Sequence, residues 1–188
     1  MDVGFVSSNP GKFREVRDLL APFGLHTRWV RRTLPEPQAD RLETVVRSKL
    51  AALPDDGRTY LVEDSGLFLE GLHGFPGVYS AYVYRTIGLA GLLRLLEGRS
   101  RNAVFRTVAG VRLGGRSWCV SGLSRGTIAP SLRGRGGFGY DPIFVPEGSA
   151  RTFAEMPGPE KNRRSHRGAA IRRAGARLAR EAHPRASD

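Results

Sequence analysis

The sequence predicts an α/β fold built on a mixed sheet. Short apolar runs alternate with helically spaced segments through roughly the first half of the chain, the pattern of parallel strands joined by helices. Two long strand-like runs then meet at Gly114-Gly115, which adds an antiparallel hairpin. The length of 188 residues, 40% of them hydrophobic, suits one domain or two lobes sharing a core, with no internal repeat or low-complexity tract.

The elements follow in order. Residues 3–8 are short and apolar and fit a buried strand. Asn9-Pro10-Gly11-Lys12 then leads into Phe13, Val16, Leu19 and Leu20 at helical spacing. Ser8 or Asn9 can cap this helix, and Pro10 suits its first turn. Residues 25–30 read as a second strand, 33–40 as a proline-bearing loop, and 42–53 as a helix stopped by Pro54. Residues 60–62 form a third strand that runs into Glu63-Asp64-Ser65-Gly66. A Gly/Pro-rich loop at 71–77 precedes a helical stretch at 79–96, interrupted near Gly88. The hairpin strands are 102–113 and 117–128. A Gly- and Arg-rich loop at 130–142, a short strand at 143–145 and a final helix at 167–182 complete the chain. Ala170, Ile171, Ala174 and Leu178 share one face of that helix.

Thirty Lys and Arg against 18 Asp and Glu give a formal charge of +12, which favours anionic partners such as nucleotides, nucleic acids or anionic lipid. No run of about 18 apolar residues predicts a membrane span. The N-terminus lacks the pattern of a signal peptide, and Cys119 is the one cysteine, so a cytoplasmic protein without disulfides is expected. Basic residues thicken from Lys161 to Arg185 and read as a solvated helix face followed by a tail from about residue 183. No aromatic residue follows Phe153, which counts against a single-strand-binding surface there. Only Lys12, Lys49 and Lys161 are lysines. In a chain that otherwise uses Arg, a retained Lys marks a place for a compact ammonium. Lys12 and Lys161 lie in motif-like segments; Lys49 reads as an incidental residue of a helix face.

Four segments carry chemistry. Ser7-Ser8-Asn9-Pro10-Gly11-Lys12 links a strand to a helix start, where backbone N–H groups and the dipole suit a phosphate, though no Walker pattern is present. A capped helix start explains it equally well. Glu63-Asp64 sits where a buried strand meets a loop, and such carboxylates need a cation or a metal. Mg²⁺ takes one or two carboxylates with phosphate and water. Strand alternation turns the two carboxylates to opposite sides, and Asp64 is the better candidate for a cleft, with an Asx-type turn as the alternative. In Gly136-Gly137-Phe138-Gly139-Tyr140-Asp141-Pro142, aromatics among glycines can stack on a flat base or plug the core. Finally, Glu160-Lys161-Asn162-Arg163-Arg164-Ser165-His166-Arg167 sets donors at a helix start. Fixed donors favour a 6-oxopurine over adenine, which would leave a buried donor unpaired. An exposed basic capping segment is the alternative.

Taken together and in order, SSNPGK, EDSG with GFPGVYSA, GFGYDPIF, and TFAEM with EKNRRSHR closely resemble the inosine triphosphate pyrophosphatase family, the Ham1-like group, from Val3 to about Ala170. The resemblance implies an elongated, two-lobed α/β fold around a central mixed sheet with flanking helices, in one domain spanning 1–188. It implies hydrolysis of ITP, dITP and XTP to monophosphate and pyrophosphate with Mg²⁺, by a homodimer needing neither membrane nor stable nucleic-acid complex. Residue by residue, it implies Asp64 as proton acceptor and metal ligand. Ser7, Ser8, Asn9, Pro10, Gly11 and Lys12 become the phosphate loop. Ser65, Phe138, Gly139, Tyr140, Asp141, Lys161, His166 and Arg167 become the remaining substrate contacts. Ser7-Ser8-Asn9 stands where Thr-Gly-Asn is common, which keeps a hydroxyl and the Asn.

One position departs. The family's second metal glutamate, five residues before a lysine, maps onto Thr44. Its neighbour Glu43 is the candidate ligand, although one helical step turns a side chain by about 100°; Glu63 is a further candidate acting through water. Two rival readings remain: a Maf-like pyrophosphatase for other nucleotides, and a non-enzymatic basic protein that binds nucleic acid. The latter accounts for the charge but not for Glu63-Asp64.

Overall fold

The computed structural model describes residues 1–182; the expected tail from about 183 lies outside the described residues. The chain opens on β1 (Asp2–Val6), then α1 (Pro10–Leu20) and β2 (His26–Val30). Asn9 caps α1, its side chain accepting from the Gly11 and Lys12 amides, with Pro10 in the first turn. After α2 (Leu42–Ala51) comes β3 (Tyr60–Leu69), a two-residue β4 (Pro76–Gly77), α3 (Ser80–Thr86) and α4 (Gly88–Leu95). Gly88, at φ 64°, makes the predicted break between these two helices. The hairpin is β5 (Asn102–Leu113) and β6 (Arg116–Ile128), closed by Gly114 and Gly115, both at positive φ. Then follow β7 (Phe144–Pro146), α5 (Gly158–Arg164) and α6 (His166–Ala182).

The strands form one mixed sheet in the order β2-β1-β3-β5-β6-β7, with β4 off this path on β3. β1 pairs in parallel with β2 and β3, and the rest of the sheet is antiparallel. The α/β class with helices flanking a mixed sheet is therefore what the chain adopts. α1 and α6 cover one face, burying Ala170, Ile171, Ala174 and Leu178 against Val3, Phe5, Leu61 and Ala109. α2 covers the other, with Val46 and Leu50 against Val62 and Val108. A third cluster gathers Leu92, Leu96, Phe105, Phe144 and Phe153.

Two expectations change. β3 does not stop at residue 62; it continues to Leu69, paired residue for residue with β5 from Tyr60↔Arg112 to Leu69↔Ala103. Glu63-Asp64 therefore sits inside a central strand, and no Asx turn forms. Further on, residues 158–164 are a helix in their own right, so Lys161, His166 and Arg167 are not an exposed capping segment: each is under 5% exposed.

Gly122 on β6 lies under the first turn of α6, where a Cβ would meet the backbone of His166 and Ala170. Gly122→Ala is expected to destabilise by about 1–3 kcal/mol and to push the His166-Arg167 turn outward. Thermal denaturation checks this, and a variant as stable as the parent would show that the helix yields freely.

Candidate active site

A cavity of about 400 Å³ opens between the loop after β6 and the starts of α1 and α6. Phe138, Gly139 and Tyr140 form one wall, His166 and Arg167 another, and Asn9, Lys12 and Ser65 close the floor. Asp141 also reaches it. A larger groove of about 630 Å³, bordered by Phe68, Asn102 and Pro146, holds none of these groups. Chemistry, not size, therefore singles out the smaller space. The cavity also takes in Tyr84 and Arg85 of α3, which the sequence reading did not select. Tyr84 meets Tyr140 edge-on at 5.6 Å, and nothing in a short helix announces that contact.

The aromatic loop is held from below. The Asp141 carboxylate accepts from the Phe138 amide at 2.7 Å and pairs with Lys161 Nζ at 2.5 Å. The Tyr140 hydroxyl donates to the Ser80 carbonyl at 2.7 Å, and burial pushes its pKa up. The Phe138 ring lies under two cations, Lys161 Nζ at 4.7 Å and Arg167 Cζ at 5.3 Å from its centroid. That ring also fills the space a Cβ would occupy at Gly11. The glycine thus seats the aromatic loop against the start of α1.

His166 stacks on Phe105 with centroids 4.2 Å apart and planes 9° apart. Burial first, then Arg167 and Lys161, hold its pKa well below the usual imidazole range, so the ring is neutral. Its Nδ1 is buried with no hydrogen-bond partner in the protein.

Lys161 does not line the cavity. It lies beneath, bridging Asp141 and Glu15, the latter at 2.6 Å. Glu15 also takes Arg167 Nη1 at 2.7 Å. One carboxylate on α1 therefore fixes both Lys161 and Arg167, a role the sequence reading missed because the partners lie some 150 residues apart. Burial raises the Glu15 pKa, but Arg167 and Lys161 more than offset it and leave it lowered. Glu15→Gln is expected to cost about 3 kcal/mol at neutral pH and to raise KM more than it lowers kcat. A depressed carboxyl stabilises above its unfolded pKa and ceases to as pH falls through the folded one. The stability gap between parent and variant should accordingly close in acid. A gap constant with pH would mean that packing, not charge, is what Glu15 supplies.

Glu63 and Asp64 face opposite sides of the sheet, as strand alternation requires. Glu63, with a side chain 1% exposed, pairs with Lys12 at 2.5 Å and Arg167 at 3.4 Å, and accepts from Ser65 Oγ at 2.6 Å. Burial raises its pKa, but Lys12 and Arg167 drive it well below the carboxylate range. Asp64 turns to the α2 face, where Lys49 Nζ meets its Oδ1 at 2.7 Å. Burial keeps the Asp64 pKa raised despite Lys49 and the field of Lys12. Lys49 is therefore not an incidental helix residue: it is buried, donates to the Glu63 carbonyl at 3.3 Å, and pairs with Glu36 at 2.8 Å.

Two carboxylates, Asp64 and the largely exposed Glu36, thus converge on one ammonium. Such a pair, completed by substrate oxygens and water, suits a hard divalent cation. Among the described residues no group of three or more potential ligand side chains forms a site on its own. Glu43 does not join this pair. It makes a 4.0 Å contact with Arg41 and borders a separate small cleft with Arg106 and Ser121. Glu36 sits in the loop before α2, in a segment without periodicity to mark it. Ser7, Ser8, Pro10 and Gly11, expected with Asn9 and Lys12 to bind phosphate, are not part of this cavity's lining; Ser7 Oγ accepts from the Asn9 amide at 3.1 Å.

Comparisons with known proteins bear on this arrangement. The profile of the Ham1 family matches residues 3–176. The chain is 50% identical over 174 residues to a dITP/XTP pyrophosphatase of Pyrococcus horikoshii, covering 92% of this chain and 94% of that protein. It is 51% identical over 175 residues to a dITP/XTP pyrophosphatase of Thermococcus kodakarensis, with the same coverage. Among solved structures, a HAM1 protein from Coxiella burnetii is similar at a TM-score of 0.80 and 28% identity, over 95% of this chain and 98% of that one.

Proposed function

The chain belongs to the Ham1 family, and on that premise we propose that it hydrolyses dITP, ITP and XTP to the monophosphate and pyrophosphate. The observation that carries this reading is one cavity joining an aromatic wall and buried donors to Lys12 and Ser65, with Asp64, the residue before Ser65 in β3, turned to the α2 face where it pairs with Lys49 beside Glu36.

The base stacks on Phe138, whose ring is fixed by Gly11 and the overlying cations. His166 and Arg167 supply hydrogen bonds to the oxo edge of the purine. Adenine would set an amino donor against Arg167, which has no acceptor, and so would be disfavoured. Lys12 moves from Glu63 to a phosphate oxygen, and Glu63 keeps Arg167 as its counter-ion. Lys161 acts from beneath, holding Asp141 and Glu15 in place. Asp64 and Glu36 would hold a divalent cation, magnesium by its preference for few carboxylates plus phosphate and water; when bound it neutralises phosphate charge and polarises the reacting phosphoryl group.

Asp64 orients a water for in-line attack on the α-phosphorus and takes its proton. The new bond joins the water oxygen to phosphorus. The bond from phosphorus to the bridging oxygen breaks, and pyrophosphate leaves with the electron pair. The raised pKa of Asp64 makes it a better proton acceptor than an exposed aspartate. Lys49 keeps it ionised and aimed.

The test is pyrophosphate release from dITP, XTP, GTP, ATP and CTP, with Mg²⁺ and with EDTA. Mg²⁺-dependent release from dITP and XTP far above the others is expected, and equal release from all five would remove the base-recognition argument. The same reading carries one two-lobed domain over residues 1–188, a homodimer and a cytoplasmic location. Sedimentation at micromolar concentration tests the dimer. Among the described residues no helix is long and apolar enough to cross a membrane.

A further inference from the structure

Resting on the triphosphate reading above, we infer that Thr107, at the middle of β5, is a positioning residue for base selection: through the Ser65 hydroxyl it fixes the Arg167 guanidinium that meets the oxo edge of the purine.

The sheet register puts Thr107 where it can act. It stands opposite Ser65 on β3 and opposite Gly122 on β6. Residues directly opposite one another share a face of the sheet, so this row runs beneath α6. A Cβ at Gly122 would meet the His166 carbonyl and the Ala170 amide. Two residues before Thr107 on the same face of the strand, Phe105 stacks on the His166 ring. Neighbouring residues of one face of β5 thus serve neighbouring residues of one turn: Phe105 supports His166, and Thr107 reaches Arg167 by way of Ser65. Thr107 is fully buried, and its hydroxyl lies 2.7 Å from Ser65 Oγ.

The chemistry of the partners fixes the direction of each hydrogen bond. Burial works against charge on Glu63, but Lys12 and Arg167 hold its carboxyl ionised, and a carboxylate only accepts. The Ser65 proton therefore goes to Glu63 Oε2, at 2.6 Å. Thr107 must then donate to Ser65 Oγ, and Arg167 Nη2 donates to the same oxygen at 3.2 Å. A hydroxyl has one proton to give and two lone pairs to fill. Ser65 Oγ is thus held from three sides, and Thr107 supplies the one hold that comes from an uncharged, rigidly placed strand residue.

Arg167 needs that hold. Glu15 takes its Nη1 at 2.7 Å, a contact about which the guanidinium can still turn. Glu63 lies 3.4 Å from Nε, which has no hydrogen-bond partner among the described residues. Ser65 on Nη2 is therefore the second fixed point. Two points on different nitrogens, with the buried stem of the side chain, set the plane of the fork. The remaining N–H groups point along that plane, and an oxo base gains from their fixed direction. Adenine, which sets an amino donor against them, gains nothing.

The experiment compares the intact parent protein with T107V, T107S, S65A and S65A/T107V. Calorimetry reads the binding of IMP and, separately, of inorganic pyrophosphate; steady-state kinetics read dITP and dATP. T107V should weaken IMP binding about fivefold, the contribution of about one hydrogen bond, and leave pyrophosphate within about twofold. The KM for dITP should rise by about the same factor with kcat within about twofold. For dATP kcat/KM should stay within about twofold, so that discrimination between the bases narrows. T107S keeps the hydroxyl and should restore IMP affinity. In the S65A background the T107V change should disappear, because Thr107 acts through Ser65. If T107V does not fold, T107A removes the same donor and carries the same expectations. Unchanged IMP affinity in the folded variant overturns the proposal. So does equal weakening of IMP and pyrophosphate, or of dITP and dATP, which is what loosened packing alone would give, and so does an effect that persists in S65A. A parent that hydrolyses no dITP, with IMP binding that still falls in T107V, would sink the enzymatic reading and leave the Thr107 assignment standing. A parent that turns over dITP, with T107V indistinguishable from it, gives the reverse.

Discussion

Asp64→Asn is expected to lower turnover of dITP by about 10²- to 10⁴-fold, the range for loss of a positioned proton acceptor, and to leave the fold intact. Asn has nearly the same shape, and its carbonyl can still accept from Lys49 Nζ, which keeps Glu36 as a counter-ion. The melting temperature should therefore move by only a few degrees. In the parent, burial keeps the Asp64 pKa raised, and the carboxylate is the working form. The acid arm of its pH–rate profile should accordingly lie above the ordinary carboxylate range of about 4. Steady-state kinetics across pH, with calorimetric unfolding alongside, check both parts. Near-parental turnover in the variant would reject Asp64 as the proton acceptor.

Lys49→Met should have an effect of another kind, on stability as well as rate. The Lys49 side chain is 8% exposed, and its ammonium holds the buried Asp64 carboxylate. Removing one partner of such a pair leaves an uncompensated charge and costs about 3–5 kcal/mol. The largely exposed Glu36 adds little to that figure, since solvent screens it. Without Lys49 the Asp64 pKa rises further, so the acid arm moves to higher pH. That direction separates an electrostatic role from mere packing: Met fills the space, and a packing role would leave the profile where it was. Chemical denaturation gives the first number and the pH–rate profile the second. Parental values in both would return Lys49 to an ordinary helix residue.

Each strongly patterned element was legible in the amino-acid order because its signal is local. The α1 cap needs only Asn9, Pro10 and the Val16-Leu19-Leu20 spacing. The hairpin needs only two glycines able to adopt positive φ between alternating strands. The face of α6 that reads as apolar is the face that is buried. Less was legible where an element depends on a distant partner. β3 runs seven residues past the expected end at 62 because β5 pairs with it throughout, an interaction that local propensity does not contain. α5 is short and highly charged, and its Lys161 is buried only because Asp141 and Glu15 meet it there.

For the site the division is similar. Short motifs marked Lys12, Ser65, the Phe138-Gly139-Tyr140 loop and the His166-Arg167 turn, and the fold gathers all of these around one cavity. The rarity of lysine in an arginine-rich chain pointed to Lys12 and Lys161 but not to Lys49, yet all three end on buried or partly buried carboxylates: Lys12 on Glu63, Lys49 on Asp64, Lys161 on Asp141 and Glu15. What the order of residues determined alone was the α/β class and a set of segments whose residue types suit phosphate and a purine base. Which carboxylate meets which cation was decided by the tertiary structure. An ion pair between Glu15 and Arg167, or between Glu36 and Lys49, depends on a few ångströms in space, and no periodicity along the chain encodes that separation.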